Sequence, residues 1–238
     1  MTRRLTLIAH LIFATLLSAA LLLSGCASKP APPDWQANAF SALKGFSAAY
    51  LNGNTRLAEL DFARAKSEIS STGRADLLAR AELIRCAVRV ASLEFDNCGA
   101  YQALAQDAEL QERAYAIFLS GQWEGLNTAL LPVQQREFVM RAAAGIPTGP
   151  ANSISVLVTL EDPLAQLVAA GVLLQSGRLT PADILAATQT ASNQGWRRPL
   201  LAWLGLQGRR ATDAGDLDAA RRIQRRIDLV LQTPQKIN

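Results

Sequence analysis

Histidine occurs once in the 238 residues, as His10, and cysteine only three times. His10 lies in an N-terminal apolar stretch expected to be removed, which leaves the remaining chain without an imidazole. That excludes Ser-His-Asp and Cys-His nucleophilic catalysis, imidazole zinc sites and histidine-based pH switching. A Gly-rich phosphate loop, a metal-ligand cluster and an activated serine motif are also missing. No cofactor, metal or enzymatic activity is therefore expected. Lysine is scarce, with four residues against twenty Arg. The formal charge of +4 falls to about +2 without Arg3 and Arg4, too little to imply a nucleic-acid partner. β-Branched runs are few, whereas alanine supplies 38 residues after position 25, and that composition favours helices.

What is present begins at the N-terminus. Arg3 and Arg4 form a basic segment, Leu5 to Leu23 an apolar one, and Leu23-Ser24-Gly25-Cys26 follows. This run resembles the lipobox of bacterial lipoprotein precursors. The resemblance implies a signal peptide over 1–25, cleavage before Cys26, and acylation of the Cys26 thiol and of the new amino terminus. Three acyl chains at roughly 0.8 kcal/mol per buried methylene exceed the two-signal threshold for stable anchoring. An uncleaved membrane-spanning helix is the alternative for so long an apolar run, but the register of the cysteine argues against it. Ala27 and Ser28 follow the cysteine, and the family's Asp signal for inner-membrane retention is missing. The expected location is therefore the outer membrane, facing the periplasm. Residues 26–34 form a Pro-rich tether; in polyproline II, Ala27 to Pro33 would span roughly 20 Å.

From Trp35 onward, apolar residues recur at helical spacing between Gly, Asn and Pro punctuation. The expected helices are 35–51, 55–71, 75–94, 98–106, 108–120, 122–131, 134–144, 163–176, 181–193, 197–213 and 216–232. A Gly/Pro hinge at 145–151 divides N-terminal helices (35–144) from C-terminal ones (152–234). Ile154, Val156, Val158 and Leu160 alternate as in a strand, but no partner strand exists elsewhere, so a short helix is expected there.

Gly53, Ala58, Phe62 and Ala65 form a frame that returns around Gly215, with Ala219, Ala220 and Ile227. It returns around Gly177, with Ala182 and Ala186, and in part at Gly121. These segments resemble the turn and second helix of tetratricopeptide repeats, in which glycine turns the chain and small residues let antiparallel helices approach. The resemblance implies an all-α, right-handed solenoid of helical hairpins. Its concave face would receive Tyr50, Gln111, Tyr115, Phe118, Gln175 and Arg209, with Phe118 the one best suited to a core instead. Mixed aromatic, amide and guanidinium chemistry suits an extended peptide or a partner helix.

Cys86 and Cys98 remain. An oxidising periplasm and an even count favour a disulfide. Against it, Cys86 falls about 12 Å down the axis from the end of a helix reaching 94, and two buried thiols are the alternative. Arg221, Arg222, Arg225 and Arg226 share one side of the last helix, with Ile223, Ile227 and Val230 on the other. That side reads either as an anion-facing surface for lipid headgroups, murein carboxylates or an acidic partner, or as a solvated face balanced by Asp218. Glu109 and Glu112 share a helix face, as glycosidase carboxylates would. However, the Ser- and Gly-flanked motif of murein-cleaving lytic enzymes is missing. The whole resembles the helical-repeat lipoproteins that serve outer-membrane β-barrel assembly or pilot secretins. It implies a membrane-anchored, non-catalytic adaptor for an envelope protein, with murein binding as the alternative. Replacing Cys26 by Ser is expected to abolish acylation and membrane fractionation; an acylated or membrane-bound C26S chain would sink the anchor.

Overall fold

Among the described residues, seven turns are made by glycines in the left-handed region, and they separate successive helices. The computed structural model describes residues 33–143 and 155–232. The expected signal peptide, Cys26, most of the tether and the 145–151 hinge lie outside those residues. The described residues form ten α-helices and no strand. They are α1 (Asp34–Leu51), α2 (Thr55–Ser70), α3 (Ala75–Ala91), α4 (Gly99–Gln102), α5 (Leu110–Ser120), α6 (Val133–Ala143), α7 (Pro163–Gln175), α8 (Pro181–Gln194), α9 (Arg197–Asp213) and α10 (Leu217–Gln232). The all-α expectation holds.

Local chemistry explains the boundaries. Gly53, at φ 86°, turns α1 into α2, and the Asn54 side chain caps α2 by accepting from the Leu57 N–H. Thr180 and Asp183 close a reciprocal capping box on α8. Three expected helices are shorter or different. The one expected at 75–94 stops at Ala91 because Leu93 turns left-handed. Only Gly99–Gln102 of 98–106 is α-helical. In place of 122–131 stands a turn at left-handed Gly125 and a 3-10 helix, Thr128–Leu130. Asn127 caps that short helix by accepting from the Ala129 N–H, and Pro132 follows it. The alternating residues form a second 3-10 helix, Val156–Thr159, with Ser155 accepting from the Leu157 N–H.

The early end of α3 decides the cysteine question. With the chain reversed at Leu93, Cys98 lies beside Cys86 with Cα atoms 5.3 Å apart, and the two are joined as a disulfide. The 12 Å separation never arises. Closing so short a loop contributes about 3 kcal/mol in the chain-entropy account.

Two hydrophobic clusters meet along α3. Phe46, Phe62, Ala58 and Ile69 pack with Ala81 and Val88 on one of its sides. Leu83, Ala87 and Val90 join Phe118, Leu167, Trp203 and Leu204 on the other. Helix α7 is buried from Leu167 to Val172 without interruption, the pattern of a central helix. It lies against α3 and α8, while α9 packs on α8, α10 and α1. Contacts between α3 and α7, and between α1 and α9, therefore join helices far apart in sequence.

Gly171 permits the closest of these approaches. A Cβ there would fall 2.4 Å from the Val90 carbonyl oxygen and 2.8 Å from Val90 Cγ1. Gly171→Ala is expected to cost about 1–3 kcal/mol through overpacking. It should appear as a lower urea midpoint at unchanged slope. Gly99→Ala, whose added methyl meets nothing within 4 Å, is the control and should unfold like the parent.

Candidate functional site

The expected binding residues separate into three groups. Gln111 and Tyr115 share a groove of about 550 Å³, walled by α3 and α5 and closed by the turn from Leu130 to Pro132. Arg80 on α3 reaches into it, and its Nε donates to Glu112 Oε1 at 2.6 Å. Glu112 is 7% exposed, and its second oxygen is buried with no hydrogen-bond partner. An ionic hydrogen bond thus sits against an apolar lining of Leu83, Ile84 and Leu131. Beneath it Phe118, Trp123 and Phe138 form an aromatic cluster, with Phe118 wholly buried. Phe118 is core, not surface.

Tyr50 and Gln175 are spent inside the chain. Tyr50 is buried, with the Arg198 guanidinium 4.1 Å from its ring centre. Arg198 Nε donates to the Tyr50 carbonyl at 2.8 Å, so this chain occupies the face that a partner would need. The Gln175 side-chain amide donates to the Leu119 carbonyl at 2.9 Å, near the end of α5. The Tyr50 side chain is buried, and the Gln175 amide N–H is already engaged within the chain. Position within a repeat could not reveal this, because the covering residues come from distant helices.

The arginines form the third group. A second groove, about 530 Å³, lies where α8 and α10 both rest on α9 and leave space between them. Arg210, Arg222 and Arg226 line it with Pro181, Ile184, Leu185 and Ile223. Arg221 pairs with Asp218 on the exposed side of α10. Arg209 and Arg225 are exposed and do not line that groove. The grooveward guanidiniums are therefore Arg222 and Arg226, one position beyond Arg221 and Arg225. The expected opposition of the arginines and Ile223 does not hold for these two, because Ile223 and Ala219 line the same groove. Glu109 is exposed and precedes the first residue of α5, whereas Glu112 is buried, so the two do not act on a common open face. Among the described residues no three His, Cys, Asp or Glu side chains gather to hold a metal.

Compared with protein families, curated proteins and solved structures, the chain matches none.

All three tyrosines are held neutral. Burial first, then the Glu94 carboxylate, push the Tyr50 phenol up. Burial first, then Asp162, do the same for Tyr115, and burial raises Tyr101. Folded values above the unfolded value near 10 mean that these groups contribute fully below about pH 10 and lose that contribution as pH rises above it. Ultraviolet titration is expected to show Tyr50 and Tyr115 un-ionised near pH 10 while helical circular dichroism persists, and to show them ionising together with loss of helix at higher pH. Reversible ionisation of two or more phenols at pH 10 in the helical protein would contradict the packing of Tyr50 and Tyr115.

Proposed function

We propose that this chain is an outer-membrane lipoprotein, anchored through Cys26 and facing the periplasm, whose helical body binds an envelope protein without catalysing a reaction. The groove that gathers Gln111, Tyr115, Arg80 and Glu112 carries this reading. It combines apolar lining with oriented donors and acceptors, the chemistry that holds a peptide segment by a few anchors. Lipid tethering then raises the effective concentration at which such a groove meets a membrane-bound client.

A tetratricopeptide-like arrangement is the finer reading of the body. It is supported by Gly53, Gly121, Gly177 and Gly215, all left-handed at the turns where the repeat frame needs them. It is also supported by Ala58, Phe62 and Ala65, all buried between α1 and α2. Later units follow the frame loosely: Ala182 and Ala186 are half-buried while Ile184 and Ala187 take the core positions. The contact of α1 with α9 goes beyond the neighbour-only stacking of an open solenoid.

The test is crosslinking in the native envelope from a photoreactive residue at position 111, followed by mass spectrometry. Components of β-barrel assembly or secretin machinery should be recovered. Adducts only with murein, or release of soluble muropeptides by the purified chain, would replace the adaptor with a murein-binding or lytic role.

A further inference from the structure

The second groove has two unlike walls. Helix α8 contributes Pro181, Ile184 and Leu185, and Leu185 is 64% exposed. Helix α10 contributes Arg222 and Arg226, one helical turn apart, and α9 contributes Arg210. None of these three guanidiniums forms an ion pair among the described residues, although Arg221, their neighbour, does. The residues outside those described add no side-chain carboxylate that could pair with them. All 20 Asp and Glu lie within the described residues; 1–32, 144–154 and 233–238 contain none.

We infer that this groove seats an acidic amphipathic helix of a protein partner, with its apolar stripe on α8 and carboxylates one turn apart on Arg222 and Arg226. The inference rests on the adaptor reading and names the chemistry of a partner segment at a second groove. The match is geometric. Ala219 to Arg226 runs about 10 Å along α10, two turns of helix, so carboxylates at i and i+4 on a parallel or antiparallel helix meet both arginines. Guanidinium is the planar fork that takes carboxylate oxygens in pairs. An anionic bilayer presents a flat plane of charge, whereas these arginines and Ile184 line a concave slot between two helices. A helix with acid on one flank and Leu or Ile on the other fills both walls at once.

The experiment places a benzophenone amino acid at position 185 of the full-length chain in the native envelope, and the crosslinked segment is sequenced by mass spectrometry. The expected adduct is a protein segment with carboxylates four residues apart beside apolar residues. Its yield should fall at least about tenfold in R222E/R226E, as for removal of close interfacial charge pairs. It should persist in R221E/R225E, which carries the same change of net charge at adjacent positions that do not line the groove. R222Q/R226Q repeats the test with a smaller perturbation, and circular dichroism verifies that each variant keeps its helices. A phospholipid or lipopolysaccharide adduct, a second copy of this chain, a segment without carboxylates, no adduct, or equal loss in R221E/R225E would overturn the inference. Adducts at position 111 with none at 185 would sink this groove alone; failure at both positions would sink the adaptor reading with it.

Discussion

The approach of α7 to α3 at Gly171 is the constraint on which the other contacts depend. A carbonyl oxygen of α3 stands where any side chain on residue 171 would begin. Such proximity needs small residues on both helices, and Ala87, Ala91, Ala169 and Ala170 are all buried around it. The alanine content read from composition thus has a packing role beyond helix propensity: it lets helix axes come close, so dispersion contacts accumulate without large side chains. With α7 seated, Trp203 of α9 reaches the end of α3 and donates its indole N–H to the Ala91 carbonyl at 3.1 Å. One of the orphan carbonyls at that helix end is satisfied inside the core.

Arg198 then joins the two ends of the helical body. Its guanidinium contacts the Tyr50 carbonyl, Thr55 Oγ1 and Glu94, which come from the end of α1, the start of α2 and the loop after α3. It also covers the Tyr50 ring. One planar fork, through three separate nitrogens, thus satisfies groups from three segments while stacking on a ring, a geometry that the compact ammonium of lysine lacks. The same loop is fixed from the other side, where Asp96 accepts from the Cys98 N–H and from Arg89, and Cys98 is bridged to α3. Glu94 is therefore presented to Arg198 by a loop with little freedom left to lose, so the ion pair orders few additional groups.

This closure explains which features were legible in the sequence. Glycine turns, caps and 3.6-residue periodicity are local, and they located α1, α2, α7, α8, α9 and α10 to within a residue or two. The end of α3 was misplaced because Leu93 takes a left-handed conformation that leucine seldom signals, and α4 was drawn too long because the chain after Gln102 forms successive tight turns instead of further α-helix. Site residues were legible only where local position decides exposure. Gln111 and Tyr115 fell into one groove, whereas Tyr50 lies under an arginine 148 positions later, and no local pattern encodes that. Among the arginines, a helical stripe identified the face, but choosing Arg222 and Arg226 over Arg221 and Arg225 required knowing where α8 stands.

Helix α10 shows the other side of this economy of burial. None of its residues is fully buried, and Ile223, Ile227 and Val230 are only half-covered against the core. Its local support comes from Asp218–Arg221 and Gln224–Asp228 on the exposed surface, interactions worth a few tenths of a kcal/mol each. Helices held by few buried contacts open at lower free energy than the core they rest on. The fold is thus graded, from a tightly packed α3–α7 centre to a last helix whose apolar stripe and arginines are incompletely used. Further burial would stabilise α10 directly, because none of its residues is fully buried. Packing at the centre sets where α8 and α9 stand, and α10, resting on α9, leaves the groove beside Ile184 and Leu185 uncovered.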